Sequence, residues 1–356
     1  MKKSYLLMAA AATIFAACSE TDLVNPVPET EQEIGFDNHV GKTTRAEITS
    51  EAALATEGGF VVWGYKTLTT PKNWEDSTTV FNGVNVYDAS TELGVNGDAT
   101  VWTYALKKYW DKTSTYNFYA VAPYNPSGAT YSINNARQGY ITITGAKSAL
   151  ATASDDFLID RDGKKNVNGA DVNDNGTYNK VSFDFNHVMA KVSIKLQRNV
   201  AENITVNSIT MSGWNGKDGV FTQKAVSTPT TTTDITEWEF VQGGEAVPGS
   251  VTFGQGYVLA TDAAVAVEDS YIMVPQAVGT LTFTLNYTIK YSDNTTENFV
   301  AHVGELKDQT WGTDSWTTYT IKVGPKPIEF DVTSVNGFTN KYPNADNPNA
   351  GDLPIE

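Results

Sequence analysis

The feature that most constrains the fold of this chain is a repeated alternation of apolar and polar residues with a period of two. The clearest case is TLTFTLNYTIKY at residues 280–291, in which every second residue is apolar. A strand with this pattern buries one face and exposes the other, as in antiparallel sheets that pack face to face. Shorter stretches alternate in the same way: VSFDF at 181–185, KVSIKL at 191–196 and IEFDV at 328–332. The alternation therefore predicts a protein built from antiparallel sheets.

Turn and helix signals favour the same fold class. Asn-Gly dipeptides, which are typical of hairpin turns, occur at residues 82–83, 96–97, 168–169, 175–176 and 336–337. Two short stretches, beginning at Ser50 and Ser148, have helical character, but neither is long enough to connect parallel strands. The sequence thus predicts an all-β fold with two β-sandwich domains in series and few short helices.

The N-terminus has the pattern of a bacterial lipoprotein signal. Residues 1–18 read MKKSYLLMAAAATIFAAC, with two lysines, a short apolar stretch and two alanines before Cys18. These are the parts of a secretory signal peptide, and the apolar stretch is too short to span a membrane. The cysteine after the two alanines resembles a lipobox, in which the thiol is acylated, although Phe15 replaces the usual leucine. An ordinary signal peptide is the alternative, and it would leave Cys18, the only cysteine, as a free thiol.

Charge excludes one class of partner. The chain has 25 basic and 41 acidic residues and a formal net charge of −16. A strongly acidic protein repels the phosphate backbone, so the sequence predicts no binding to nucleic acid.

Sites for metal or catalysis are weak in this sequence. Asp171, Asn173 and Asn175, followed by a glycine, reproduce the start of a calcium loop. The acid expected at the twelfth loop position is missing because Ser182 stands there, so a solvated loop is favoured over a metal site. The three histidines are far apart, and the common motifs of metalloproteases, serine hydrolases and nucleotide-binding enzymes are absent. We therefore predict no cofactor and no enzymatic activity.

Two tryptophans are candidates for binding a ligand by stacking. Trp214 is flanked by Gly213 and Gly216, and Trp238 lies in a polar region, so both are expected to be exposed. Exposed tryptophans could bind a glycan. The alternative to a structural role is therefore a surface protein that binds a glycan or a host protein.

The segment after the N-terminal signal carries a possible processing site. Residues 19–33 are acidic and contain proline, which is typical of a flexible tether. A short strand-like unit follows at Ile34 and Phe36, and then the polar stretch HVGKTTRAEI. Arg45 in this stretch precedes the small residue Ala46, and a mobile arginine of this kind is easily cut by trypsin-like proteases.

Taken together, these pieces resemble the fimbrillin family of lipoprotein pilins from anaerobic gut and oral bacteria. The matching segments are the lipobox at Cys18, Ile34–Phe36, Thr44–Ala46, FVVWGYK at Phe60–Lys66, the F-x-F-x-H-x-x-A-K-V block at Phe183–Val192, YIMVPQ at Tyr271–Gln276 and YTIKV…IEFDVTSV at Tyr319–Val335. Their order and spacing run through most of the chain. Each segment is short, so the resemblance depends on the whole set.

The resemblance implies an assembly mechanism. Members of the family have two transthyretin-like β-sandwich domains, are exported as lipoproteins and reach the outer membrane through their acyl chains. An arginine-specific protease cuts after the arginine that corresponds to Arg45. Loss of the first strand, here around Ile34 and Phe36, opens a groove, and a strand from another pilin subunit fills it.

The strand at Ile328, Phe330 and Val332 is the candidate donor, because its three apolar side chains alternate with polar ones. Residues 328–335 could instead close the sheet of their own subunit. The junction between the domains is placed near residue 182, after the very polar segment 160–179. The predicted division is a signal peptide at 1–17, a lipidated tether with the removable strand at 18–45, an N-terminal sandwich at 46–182, a C-terminal sandwich at 183–336 and a flexible tail at 337–356.

Overall fold

The computed structural model describes residues 32–40, 48, 50–90, 92, 100–133, 141–150, 155–160, 165–172, 180–224, 237–241, 245–254 and 256–336. The prediction of an all-β fold is confirmed. In this part of the chain, one α-helix occurs, α1 at Glu51–Thr56, with one-turn 3-10 helices at Trp74–Asp76 and Gly169–Asp171. The Oγ of Ser50 caps α1 by accepting a hydrogen bond from the backbone N–H of Ala53 at 3.1 Å. None of these described helices is long and apolar enough to cross a membrane.

The strands of the first half of the chain are short and irregularly spaced. They are β1 Gly35–Val40, β2 Phe60–Leu68, β3 Thr78–Asp88, β4 Trp102–Thr103, β5 Ser114–Ala122, β6 Thr130–Ile133, β7 Ile141–Ala146, β8 Ala149–Leu150, β9 Leu158–Asp160, β10 Lys165–Asn168 and β11 Lys180–His187. The helical character predicted after Ser148 is wrong at residues 149–150, because β8 pairs with a strand of the second half.

The strands of the second half are longer. They are β12 Ala190–Arg198, β13 Asn203–Asn215, β14 Gly219–Lys224, β15 Glu237–Val241, β16 Pro248–Phe253, β17 Tyr257–Leu259, β18 Val265–Met273, β19 Gln276–Lys290, β20 Thr296–Trp311, β21 Ser315–Val323 and β22 Glu329–Asn336. The alternation at β19 is confirmed, since Leu281, Phe283, Leu285, Tyr287 and Ile289 are all fully buried.

The first sheet has eight strands in the order β1-β11-β9-β5-β2-β3-β4, with β10 paired to β5. Its central strand β2 is buried on both faces: Phe60 and Val62 lie in one core, and Val61, Trp63 and Tyr65 lie in another. This two-sided burial explains why FVVWGYK is almost continuously apolar. The sheet curls so that the residues before β1 are hydrogen-bonded to residues 108–110, which follow β4.

The second half forms a sandwich of two five-stranded sheets. One sheet has the order β22-β21-β12-β18-β8, and the other has the order β16-β13-β19-β20 with β17 paired to β13. Between them lies a core built from the inward-facing residues of both sheets. This is the packing that alternating strands predict.

A fourth sheet joins the two halves of the chain. Its order is β15-β14-β7-β6, so two strands from before residue 182 pair with two from after it. This sheet packs on the second face of the first sheet, in a core that includes Ile143, Phe221 and Ile272. The two halves of the chain therefore share a sheet. The first sheet ends with β11 at His187, so a boundary at residue 182 would divide that strand.

Candidate functional site: the groove of the first strand

Strand β1 is hydrogen-bonded to one neighbouring strand, and the residues just before it are hydrogen-bonded to a second segment. Strand β1 pairs in parallel with β11, with Phe36 opposite Val181 and Asn38 opposite Phe183. On the other side, the N–H of Ile34 donates to the carbonyl of Lys108 at 2.8 Å, and the N–H of Trp110 donates to Gln32 at 2.9 Å. Residues 32–40 thus lie between β11 and residues 108–110. We call the surface that contacts them the first-strand groove.

Phe36 occupies an aromatic pocket of this groove. Its side chain is 2% exposed. Four rings surround it, with centroid distances of 5.2 Å to Phe81, 5.5 Å to Tyr104, 5.9 Å to Phe118 and 6.0 Å to Phe183. Most of these contacts have the edge-to-face geometry that favours aromatic pairs. The pocket draws its side chains from three strands of the sheet and from the segment after β4.

Ile34 is the second buried anchor of the strand. It is fully buried, and its carbonyl accepts a hydrogen bond from the hydroxyl of Tyr104 at 2.7 Å. Burial raises the pKa of Tyr104 to about 12. Tyr104 therefore contributes both to the pocket of Phe36 and to the backbone pairing of Ile34.

Two ion pairs follow the edges of the groove. Lys107 lies 2.6 Å from Glu33, and Lys180 lies 3.9 Å from Asp37, in each case from Nζ to a carboxylate oxygen. All four side chains are partly exposed, so each pair contributes at most about 1 kcal/mol to stability. Each pair places a lysine of the groove beside an acid of residues 32–40. The groove and the strand segment are therefore electrostatically complementary.

Asn38 fits the groove poorly. It is 4% exposed, and neither polar atom of its side-chain amide has a hydrogen-bond partner among the described residues. A buried polar group without a partner costs about 1–3 kcal/mol. Its neighbours on the same face, Phe36 and Val40, are apolar and buried. The strand therefore carries one unfavourable contact between two favourable ones.

The chain is fixed again soon after this strand. Ile48 is fully buried, and its backbone N–H donates to Oδ2 of Asp156 at 3.2 Å. The other oxygen of Asp156 lies 2.6 Å from Nδ1 of His187, so this buried histidine has a structural, hydrogen-bonded role. Arg45 and Ala46 fall between the anchored residues Val40 and Ile48, and they lie outside the described residues.

The candidate donor strand is part of its own subunit's sheet. Residues 329–336 form β22, which pairs with β21 at the edge of the sheet. Phe330 is half-buried with its ring 5.3 Å from that of Phe283, and Val332 is 44% exposed. The sequence left open whether residues 328–335 are donated to another subunit or close the sheet of their own. In the single subunit, residues 329–336 close their own sheet.

The prediction that Trp214 is exposed is wrong. Its side chain is 4% exposed, and its ring lies 5.8 Å from that of Trp311. The glycines around it serve close packing: a Cβ on Gly249 would lie 2.1 Å from Nε1 of Trp214, and a Cβ on Gly213 would lie 2.3 Å from the carbonyl oxygen of Thr280. A ligand cannot stack on this ring.

The other predicted sites are only partly described. Cys18, Asn173 and Asn175 lie outside the described residues, and so does the side chain of Trp238 in β15. Asp171 ends the 3-10 helix at Gly169–Asp171. Among the residues with known positions, no group of three His, Cys, Asp or Glu side chains could hold a metal ion.

Sequence reasoning located the strand at Ile34 and Phe36 but missed the residues that receive it. Tyr104, Lys107 and Lys180 come from distant parts of the chain, and no motif connects them. The acids at residues 33 and 37 could have indicated basic residues in the groove, because acids beside an apolar strand often pair with lysine or arginine.

Comparison with known proteins gives matches to fimbrial proteins. The profile of the family described as fimbrillin-like matches residues 44–337. The fimbrium subunit Fim1C of Phocaeicola vulgatus is 27% identical over 211 residues, which are 56% of this chain and 53% of that protein. The match thus spans about half the length of this curated relative. The crystal structure of a fimbrial protein from Bacteroides vulgatus superposes with a TM-score of 0.56 at 19% identity, covering 86% of this chain and all of that one.

Proposed function

The chain belongs to the fimbrillin-like family, and on that premise we propose that it is a structural subunit of a cell-surface fimbria that assembles by donor-strand exchange after cleavage behind Arg45. The family is one of fimbrial proteins, which agrees with the prediction that the chain is not an enzyme. The observation that carries the proposal is the position of residues 32–40: a short strand fills an apolar groove and lies just before the proposed cleavage site.

Loss of this strand has a clear physical consequence. Departure of Phe36 uncovers the rings of Phe81, Phe118 and Phe183, and exposed apolar surface costs about 25 cal/mol per Å². The edge of β11 also loses its backbone partners, and an unpaired strand edge readily binds another strand. A strand from a second subunit restores both kinds of contact, in the manner of β-augmentation.

Ile48 explains how the rest of the subunit survives the cut. Only Ala46 and Glu47 separate the proposed cleavage site from this residue. Ile48 is buried in the same core as β1, but its hydrogen bond is to Asp156, which lies outside the first strand. The strand before Arg45 can therefore leave while the chain from Ile48 onward keeps its place.

The lipid attached at Cys18 has a transient role in this proposal. We propose that Cys18 is acylated and holds the exported precursor at the outer membrane through the tether 19–33. Cleavage behind Arg45 then separates the acyl chains, with residues 18–45, from the assembled subunit. A subunit that escapes cleavage would remain anchored and could fix the fimbria to the cell.

Treating the purified mature chain with an arginine-specific protease tests the proposal. We expect one early cut after Arg45, followed by SDS-resistant oligomers in a ladder on gels. The variant R45A should show neither, while R161A, a matched change in another polar segment, should behave like the unaltered chain. A cleaved chain that loses residues 18–45 and stays monomeric would overturn the proposal.

The alternative of a surface protein that binds a glycan is not supported at Trp214, because that side chain is buried. Adhesion to a host remains a role that the assembled fimbria could serve.

A further inference from the structure

The chain contains the same four-residue pattern, Ile-x-Phe-Asp, in two strands. It occurs at Ile34–Asp37, in and just before β1, and again at Ile328–Asp331, at the start of β22. The two strands belong to opposite ends of the chain and to different sheets. Both carry the aspartate on the face opposite the phenylalanine, so a strand with the second pattern presents the same side chains as the first.

The first-strand groove has a place for each shared residue. Ile34 is fully buried, Phe36 lies among four aromatic rings, and Asp37 faces Lys180 at 3.9 Å. In its own subunit the second pattern is less well buried. Ile328 and Phe330 are only half-buried, although they pack on Gly304, and residues 331–334 are exposed. Transfer to the groove would therefore increase the burial of this strand.

The residue after the pattern differs between the strands. The groove holds Asn38, whose buried amide has no hydrogen-bond partner among the described residues, whereas Val332 follows Asp331. Since a valine has no polar group to leave unpaired, it fits an apolar position better than asparagine does.

We propose that Ile328–Val332 of one subunit enters the groove of another in the register of Ile34–Asn38, so that Val332 replaces Asn38 and the incoming strand binds more tightly than the strand it displaces. This inference rests on the proposed function and adds to it the register and the reason for the direction of exchange. The occupant is a second copy of this chain. Asp331, which pairs with Lys322 at 2.8 Å in the free subunit, would pair with Lys180 of the receiving subunit.

The two strands no longer match at the next inward-facing position, two residues after Val332. Ser334 would stand at the position of Val40, which is 3% exposed. A serine fills less apolar space than valine, and its buried hydroxyl would offset part of the gain from Val332. The preference for the incoming strand is therefore assigned to Val332, and the variant S334V should bind more tightly still.

Synthetic peptides of residues 327–335 test the role of Val332. Added before the protease, the unaltered peptide should fill opened grooves and suppress the ladder of oligomers. A peptide with V332N should be weaker by about tenfold or more, because it restores the unpaired buried amide. The matched peptide T333N changes the exposed face and should inhibit as well as the unaltered peptide. Equal inhibition by V332N would overturn the inference.

Cysteine pairs test the register in whole chains that carry C18A. In the resident strand, Asp37 lies opposite Ser182 on the exposed side of β11. The proposed register therefore predicts a disulfide between D331C of one subunit and S182C of the next, and none with K180C or D184C. Cross-linking of D331C to K180C or D184C in place of S182C would overturn the register.

The full-length variants N38V and V332N test the direction of exchange. N38V should retain residues 18–45 after cleavage and form oligomers more slowly. V332N should keep the thermal stability of the uncut subunit, since Val332 is 44% exposed there, but form oligomers less readily. Oligomers at the unaltered rate in both variants would overturn this inference and leave the fimbrial role standing. Absence of oligomers from the unaltered cleaved chain would instead overturn the proposed function.

Discussion

At the scale of single residues, the first strand combines side chains that fit their surroundings closely with one that does not. Phe36 contacts four rings, while Asn38, two residues later on the same face, has an unpaired amide. A strand made only of well-fitting residues would be difficult to displace. In the proposed exchange, this mixture would allow a strand that fits better to replace the first one.

The first prediction concerns the contribution of Phe36. Because its side chain is buried among aromatic rings, F36A should lower the free energy of unfolding of the uncut subunit by about 3–5 kcal/mol. Denaturant titration of the purified chain measures this. L106A, which truncates a side chain that is 76% exposed, should leave the midpoint unchanged. A small effect of F36A would mean that the pocket does not hold the strand.

The second prediction concerns pH and Asp111, which follows Trp110 at the rim of the groove. Hydrogen bonds from Thr113, followed by those from Ser114 and Lys66, hold the pKa of Asp111 well below its ordinary value of 3.8. A lowered pKa means that ionised Asp111 stabilises the fold above about pH 4. This stabilisation is lost as the pH falls through the lowered pKa.

Thermal unfolding of the unaltered chain and of D111N, measured near neutral pH and in strong acid, checks this. D111N should be less stable near neutral pH, and the difference should shrink in acid. A difference that is independent of pH would contradict the assignment.

At the scale of elements, β1 and β22 are both edge strands with the same pattern and different degrees of burial. Phe36, Asn38 and Val40 of β1 are almost fully buried. In β22, Phe330 contacts the core, whereas residues 331–334 are exposed. Edge strands of this kind detach at lower free energy than central strands. The proposed exchange uses these two strands.

The third prediction follows from this difference. F330A should destabilise the uncut subunit by less than half as much as F36A, because its ring is only half-buried before truncation. The same denaturant titration compares the two variants. Oligomer formation should depend strongly on Phe330, because it belongs to the proposed donor strand. F330A should therefore abolish the ladder of oligomers while the uncut subunit stays folded. If the uncut F330A subunit is unfolded, β22 is required for the fold of its own subunit, which would contradict this prediction.

At the scale of the whole molecule, the sheet β15-β14-β7-β6 makes the two halves of the chain depend on each other. It packs on the first sheet through Ile143 and Phe221, together with Ile272 of the second sandwich. Strand β8 also pairs with β18, which is another link between the halves.

The fourth prediction is that a fragment ending at residue 187 does not fold. It would lack β14 and β15, so Ile143 of β7 would lose Phe221, and the face of the first sheet that carries Trp63 would lose part of its cover. The fragment 18–187 should show low dispersion in its NMR spectrum, whereas the mature full chain should show a well-dispersed one. The full chain should also unfold in a single transition by fluorescence and circular dichroism. A folded fragment would show that the halves are independent after all.

The sequence indicated much of the fold and a smaller part of the site. Alternation identified β11, β12, β19 and β22, because a strand's period depends only on neighbouring residues. It also located Ile34 and Phe36. Exposure of Trp214 was predicted wrongly because glycines next to a tryptophan suggest a loop, whereas here Gly213 and Gly216 allow neighbouring backbone to approach closely and Gly249 packs on the ring.

What the sequence by itself determined is therefore local: strands with one or two buried faces, the short helix after Ser50, and a chain with the order of motifs seen in one family. Tertiary structure decided which strands pair, and so it decided the sheet shared by β7 and β14 and the lysines that face Glu33 and Asp37. The physical reason is that pairing depends on which faces meet after the chain has folded back over long separations. The periodicity of the sequence does not determine this pairing. The correspondence in position between Asn38 and Val332 can be recognised only when the groove is known.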